Sequence, residues 1–127
     1  MRIIIDAMGG DNAPQEIVQG VLNAASKTDA LFTLVGEREA ISQCLAHGAA
    51  GITRFELVDA EHVITMEDDP LTAIRTKRHS SMVVALELLA EGEGDALVSA
   101  GNTGALFSGA TLIVKRADGI KRAAIGT

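Results

Sequence analysis

Apolar residues along this chain switch between two periods, and they do so from one end to the other. Ile3, Ile4 and Ile5 form an unbroken β-branched run, the pattern of a strand buried on both faces of a parallel sheet. From Pro14 to about Ser26, residues Ile17, Val18, Val21, Leu22 and Ala25 fall on one helical stripe. Leu31–Val35 predicts a second strand, closed by Gly36. Arg38 to about His47 predicts a helix with Ala40, Ile41, Cys44 and Leu45 on a common face and Gly48 at its end. From Thr53 to Val58, Phe55 and Leu57 alternate with Arg54 and Glu56, which predicts a strand exposed on one face.

An acidic loop, Glu61–Asp69, comes next, with Asp69 placed to cap the following helix and Pro70 in its first turn. That helix covers Leu71–His79. Ser80 or Ser81 then caps another, which runs to about Glu91 and buries Met82, Val83, Leu86 and Leu89. Gly92 and Gly94 break it before a short apolar strand, Ala96–Val98. A glycine turn leads into a helix from Thr103 to about Arg116, where Lys115 and Arg116 suit the negative end of the dipole. Ala123–Ile125 begins a further strand. Strands and helices in alternation predict an α/β fold, a mainly parallel sheet covered by helices. No repeat, low-complexity segment or linker divides the chain, so it reads as one unit.

Composition narrows the function classes. The 127 residues include three Phe and neither Trp nor Tyr, so the core is aliphatic and stacking platforms for single-stranded nucleic acid are lacking. A net charge of −6 opposes generic binding to nucleic acid or to an anionic membrane. No apolar run reaches the length of a membrane span, and the start lacks the layout of a signal peptide. The single cysteine, Cys44, permits no internal disulfide and suits a reducing compartment, which predicts a cytoplasmic protein.

Two glycine turns carry the candidate chemistry. Ser99-Ala100-Gly101-Asn102-Thr103-Gly104-Ala105 joins a strand to a helix whose first amides lack intrahelical acceptors and bear the positive end of its dipole. Gly101 and Gly104 permit close approach, and Ser99, Asn102 and Thr103 add side-chain donors, so the turn suits a phosphate or another oxyanion. The plain alternative is an ordinary strand-to-helix turn capped by Asn102 or Thr103. At the N-terminus, Asp6 closes the first strand, where open α/β sheets bind ligands. Gly9 and Gly10 turn the chain there, and Asp11 or Asn12 is placed to cap.

Arg75 and Arg78 stand three apart on the predicted helix, hence on one face, beside His79. Arginine forks match phosphate oxygens as lysine does not, although two arginines on a solvated face are also ordinary surface. Glu67-Asp68-Asp69, bunched before a proline, reads as helix capping and not as a metal site; His47 and His62 have no partners at metal spacing. No metal or cofactor is predicted. A dinucleotide site is disfavoured: Gly9-Gly10-Asp11 replaces G-x-G-x-x-G, and Asp11 would repel a pyrophosphate, even though Glu37 stands where a ribose-binding carboxylate could. No P-loop motif occurs.

The opening Asp6-Ala7-Met8-Gly9-Gly10-Asp11-Asn12-Ala13-Pro14, the segment Arg75-Thr76-Lys77-Arg78-His79-Ser80-Ser81-Met82 and the Ser99–Ala105 turn together resemble the bacterial phosphate acyltransferases of phospholipid synthesis. Order and spacing match over the whole of residues 1–127. The resemblance implies a layered α/β/α architecture like that of phosphotransacetylases and isocitrate dehydrogenases. It implies transfer of a fatty acyl group from acyl carrier protein to inorganic phosphate, giving acyl phosphate. It also implies that Arg75, Arg78 and Asn102 are catalytic, and that Asp6, Gly9, Gly10, Asn12, Ser99, Gly101, Thr103 and Gly104 bind phosphate or substrate. Members of that family are well over twice this length, which implies an N-terminal portion that is catalytically incomplete alone. It further implies a homodimer in the full enzyme, with loose peripheral membrane association through other elements. The alternatives are a short-chain phosphotransacylase using coenzyme A and a noncatalytic module that binds a phospholigand. Lys115, Arg116, Lys121 and Arg122 offer an acidic carrier protein a local basic patch, or else serve only the helix dipole and solvation.

Overall fold

The computed structural model describes residues 1–48 and 54–126. Among them, four strands form one parallel sheet: β1 (Arg2–Asp6), β2 (Leu31–Gly36), β3 (Phe55–Asp59) and β4 (Ala96–Val98), in the order β3-β2-β1-β4. The helices are α1 (Gln15–Ala25), α2 (Arg38–Ala46), α3 (Pro70–Thr76), α4 (Ser81–Ala90) and α5 (Thr103–Gly109), the last running on into a π-helical turn, Ala110–Val114. The α/β class read from the hydrophobic pattern is the observed one.

The β-branched run ends up in the middle of the sheet because both its faces are apolar. In register, Ile3, Ile4 and Ile5 pair with Phe32, Thr33 and Leu34 on one side and with Ala96, Leu97 and Val98 on the other. Ile5 joins Val18, Val21, Leu22, Phe32, Leu34 and Ile41 in a core against α1 and α2. Ile4 joins Val35, Ala60 and Ala85 on the opposite face, against α4. A third cluster, with Ile64, Ile74, Met82, Val83, Leu86 and Ala105, holds α3, α4 and α5 together. Each fully buried aliphatic side chain in these clusters stabilises the fold by about 1.5–3 kcal/mol relative to leaving it exposed. At the β3 edge, Glu56 pairs with Arg2 at 3.0 Å and Arg54 pairs with Asp29, which keeps the exposed face polar as its alternation predicts. Thr53, expected to begin this strand, lies outside the described residues.

Several local expectations need correction. Neither Asp11 nor Asn12 caps α1 with its side chain; Pro14 occupies the N-cap position, and the Asn12 carbonyl accepts the Glu16 amide instead. Gly10, at φ +120°, bends the chain so that backbone does the work of a side-chain cap. The last helix stops at Val114, short of Arg116. There the Lys115 amide bonds back five residues to the Ala110 carbonyl, and Lys115 takes a left-handed conformation (φ 71°) that ends the helix. Ala123–Ile125 is irregular and not a strand. A strand exists by pairing with a neighbour's backbone, and this segment pairs with none among the described residues.

Candidate functional site

β1 and β4 lie side by side and parallel, so the loops that follow them leave from the same edge of the sheet. They meet through glycine. A Cβ on Gly9 would sit 2.6 Å from Asp6 Oδ2 and 2.9 Å from the Gly101 amide nitrogen, and one on Gly101 would sit 3.3 Å from the Gly9 Cα. The two backbones can approach this closely only because both residues lack side chains.

Asp6, the last residue of β1, is buried at 1% exposure beneath this contact. Its Oδ1 accepts the Ser81 hydroxyl at 2.6 Å and the Met8 amide at 3.3 Å, and its Oδ2 accepts the Ser99 hydroxyl at 2.7 Å. Ser99 Oγ in turn accepts the Gly101 amide at 3.1 Å. One carboxylate therefore joins the β1 loop, the first turn of α4 and the turn after β4. Ser81 belongs to this group although the sequence suggested only a cap. Ser80 takes the capping role by accepting the Val83 amide, which leaves the second hydroxyl on a buried helix start. Two adjacent serines before an apolar helix are the signal, since a buried hydroxyl needs its own partner.

Asn102 is 7% exposed and fully engaged. Its Oδ1 accepts the Ala105 amide at 3.0 Å, capping α5, while Nδ2 donates to the Thr65 carbonyl at 3.0 Å and the Asp68 carbonyl at 3.3 Å. It thus braces the acidic loop against the start of α5, and Gly104 lies against Pro70 in the same contact. The backbone amides of Thr103 and Gly104 take no partner among the described residues, and the Thr103 side chain is exposed. These two amides, at the positive end of the α5 dipole, are free to donate. The Ser99 hydroxyl hydrogen and both amide hydrogens of Asn102 are already used within the protein. Asn12 lies exposed in the β1 loop.

The acidic loop is also held by Lys77 and by its own Thr65. Asp68 Oδ2 accepts the Lys77 ammonium at 2.6 Å and the Thr65 amide at 2.7 Å, and these bonds, Lys77 first, hold its carboxyl below the ordinary carboxylate range. Hydrogen bonding from Thr72 likewise lowers Asp69, which caps α3 as expected. Among the described residues, no three His, Cys, Asp or Glu side chains gather as metal ligands.

The arginines are not arranged as the periodicity suggests. α3 ends at Thr76, so Arg75 is on the helix and Arg78 is in the turn behind it, not on a shared helical face. The cause is tertiary: the His79 carbonyl accepts the His62 amide, and Ser80 must reach the N-cap of α4, so the chain leaves the helix early. Arg78 pairs with Glu87 of α4. Arg75 is exposed, with no carboxylate at ion-pair distance among the described residues. Neither guanidinium is hydrogen-bonded to the Ser99–Gly104 turn.

A family model described as a fatty acid synthesis protein matches residues 1–127, the full length of the chain. The chain belongs to that family. Curated relatives within reach of it are phosphate acyltransferases. The one from Acetivibrio thermocellus is 46% identical over 99% of this chain, and the one from Heliobacterium modesticaldum is 47% identical over 100%. That of Clostridioides difficile is 43% identical over 96%. The chain spans about 38% of the length of the first two relatives and 36% of the third. As a member of the fatty acid synthesis family, it thus carries the glycine turns and the Asp6 network within a region shared with named acyltransferases.

Proposed function

We propose that this chain forms the phosphate-handling part of an enzyme that transfers a fatty acyl group from acyl carrier protein to inorganic phosphate. The observation that carries the reading is the match of 99–100% of this chain to phosphate acyltransferases, in a chain that leaves the Thr103 and Gly104 amides without a partner among the described residues at a strand-to-helix turn. The reaction needs little more than positioning. A phosphate oxygen attacks the thioester carbonyl, the tetrahedral oxyanion collapses, the carbon–sulfur bond breaks, and the thiolate leaves to take a proton from water. Phosphate is already anionic and the thiolate departs readily, so no enzyme nucleophile is required. What is required is oriented amides and cations, and α5 supplies the former. Arg75 and Arg78 are proposed to supply the latter once substrate is present, with Arg78 exchanging its Glu87 partner for phosphate.

Acyl phosphate formed in this way feeds phospholipid synthesis, and the reading includes a cytoplasmic homodimer, loosely associated with the membrane when complete. The carrier docks on the basic end of the π-helical turn. Lys115, Arg116, Lys121 and Arg122 are all exposed there, and the Arg116 guanidinium donates to the Lys121 carbonyl at 2.7 Å, folding the segment back on itself. The test is acyl-phosphate formation by the whole protein with acyl carrier protein and coenzyme A thioesters side by side. Turnover with the carrier-bound donor is the expected result. Turnover with coenzyme A thioesters and not with the carrier-bound donor would assign a short-chain phosphotransacylase, and phosphate binding without turnover would assign a noncatalytic module.

A further inference from the structure

Asp6 is a buried carboxylate whose partners are two hydroxyls and one backbone amide, with no cation among them. Such a charge is tolerable only where every lone pair it presents is met, and here the first turn of α4, which carries Ser81, adds the favourable end of a helix dipole. A group this costly to bury, tying three segments that are far apart in sequence, does more than fill space. Its chemistry also excludes substitutes: only a carboxylate accepts from Ser81, Ser99 and Met8 together, because a carboxamide replaces one acceptor oxygen with a donor.

We propose that Asp6 is the positioning residue of the anion site. Through Ser99 it fixes the Ser99–Gly101 turn, turns the Gly101 amide inward onto Ser99 Oγ, and so sets the start of α5 with the Thr103 and Gly104 amides unpaired for the ligand. Ser99 is then a link and not a phosphate donor, since its hydroxyl hydrogen belongs to Asp6. The phosphate in this statement rests on the function proposed above; the hold on the turn does not.

Two measurements on the whole protein separate these parts. Amide hydrogen exchange in Asp6→Asn and in Ser99→Ala should show Gly101 exchanging about tenfold faster, the loss of one hydrogen bond, while Ile4 and Leu34 in the sheet keep their protection. Unchanged exchange at Gly101 in folded Asp6→Asn overturns the proposal. In the acyl-phosphate assay, either substitution should raise KM for phosphate by about tenfold and leave KM for the thioester unchanged. The Asp6→Asn/Ser99→Ala double variant should be no worse than the poorer single variant, because both cut the same link. Additive effects, or equal losses in both KM values, refute positioning through Ser99. Ser99→Thr, which keeps the hydroxyl, should restore phosphate KM toward wild type. If the wild-type protein makes no acyl phosphate, the functional reading fails, and the exchange result alone decides whether Asp6 governs the turn.

Discussion

Replacing Asn102 with Ala removes three hydrogen bonds of two kinds, and their separate costs can be worked from the structure. The first is the cap on α5, in which Oδ1 accepts the Ala105 amide at 3.0 Å; losing an Asn cap costs about 1 kcal/mol. The second is the brace, in which Nδ2 donates to the Thr65 and Asp68 carbonyls. Each would cost about 1 kcal/mol if its acceptor stayed dry. Thr65 is exposed and Asp68 is half-buried, so water recovers part of that loss. The expected total is about 2 kcal/mol, too little to unfold a domain with stability in the usual range of about 5–15 kcal/mol. Asn102→Ser keeps a good capping oxygen and loses only the brace, so it should cost about half as much. Urea unfolding followed by circular dichroism reads both as a lower midpoint with an unchanged slope. In the acyl-phosphate assay, Asn102→Ala should lower turnover because the acidic loop no longer braces the start of α5. A midpoint for Asn102→Ala indistinguishable from wild type would show that neither cap nor brace adds stability, a wild-type midpoint for Asn102→Ser would show the same of the brace alone, and wild-type turnover would remove Asn102 from the proposed site.

Other perturbations test other parts of the structure. Gly9→Ala pushes a methyl group into Asp6 and the Gly101 backbone and should destabilise by about 1–3 kcal/mol, whereas Gly20→Ala on α1, where a Cβ meets nothing within 4 Å, should stabilise by about 0.5–1 kcal/mol; equal midpoints for the two would refute the close contact. Reversing Lys121 and Arg122 to Glu should raise KM for the carrier-bound substrate, most at low salt, and a constant KM across ionic strength would refute docking at that patch. The Asp68 carboxyl lies below its ordinary value of 3.8, so its ion pair with Lys77 adds stability that is full above that pH and is lost as pH falls through the folded-state value. Lys77→Met should therefore destabilise more at pH 7 than in strong acid, where only its bond to the Val63 carbonyl is still lost. A midpoint difference that stays constant with pH would show that the pair contributes nothing.

An apolar trough of about 350 Å³ runs beside the free edge of β4, bounded by Ile3, Ile5, Ile17, Val21 and Val98. Val98 is 54% exposed there, which is high for a residue in register with the central strand. Open apolar surface next to a strand with one edge unpaired among the described residues favours association, so the oligomeric state should be measured alongside the kinetic comparisons.

The hydrophobic periods by themselves determined the order of the elements from β1 to α5 and the parallel sheet, though not the irregular course of Ala123–Ile125. A run such as Ile3–Ile5 has few places to go except between two covered layers. Caps act within one turn of chain, so Asp69 before Pro70 was legible and the α4 cap was narrowed to Ser80 or Ser81, whereas at α1 neither Asp11 nor Asn12 caps. The glycine turns stood out as well, since glycine at a strand end marks either an unusual backbone angle or a close approach. Tertiary structure decided which of these it was: Gly10 bends the chain, while Gly9 and Gly101 are paired across 92 positions, a contact that no local pattern encodes. It also decided where α3 ends, because the bridge from His62 to Ser80 outcompetes one more helical turn and separates Arg78 from Arg75. Above all it gave Asp6 its role. The residue was visible at the end of its strand, but its hydroxyl partners come from the start of α4 and the turn after β4, 75 and 93 positions away, and a buried carboxylate is defined by whichever donors the fold brings to it.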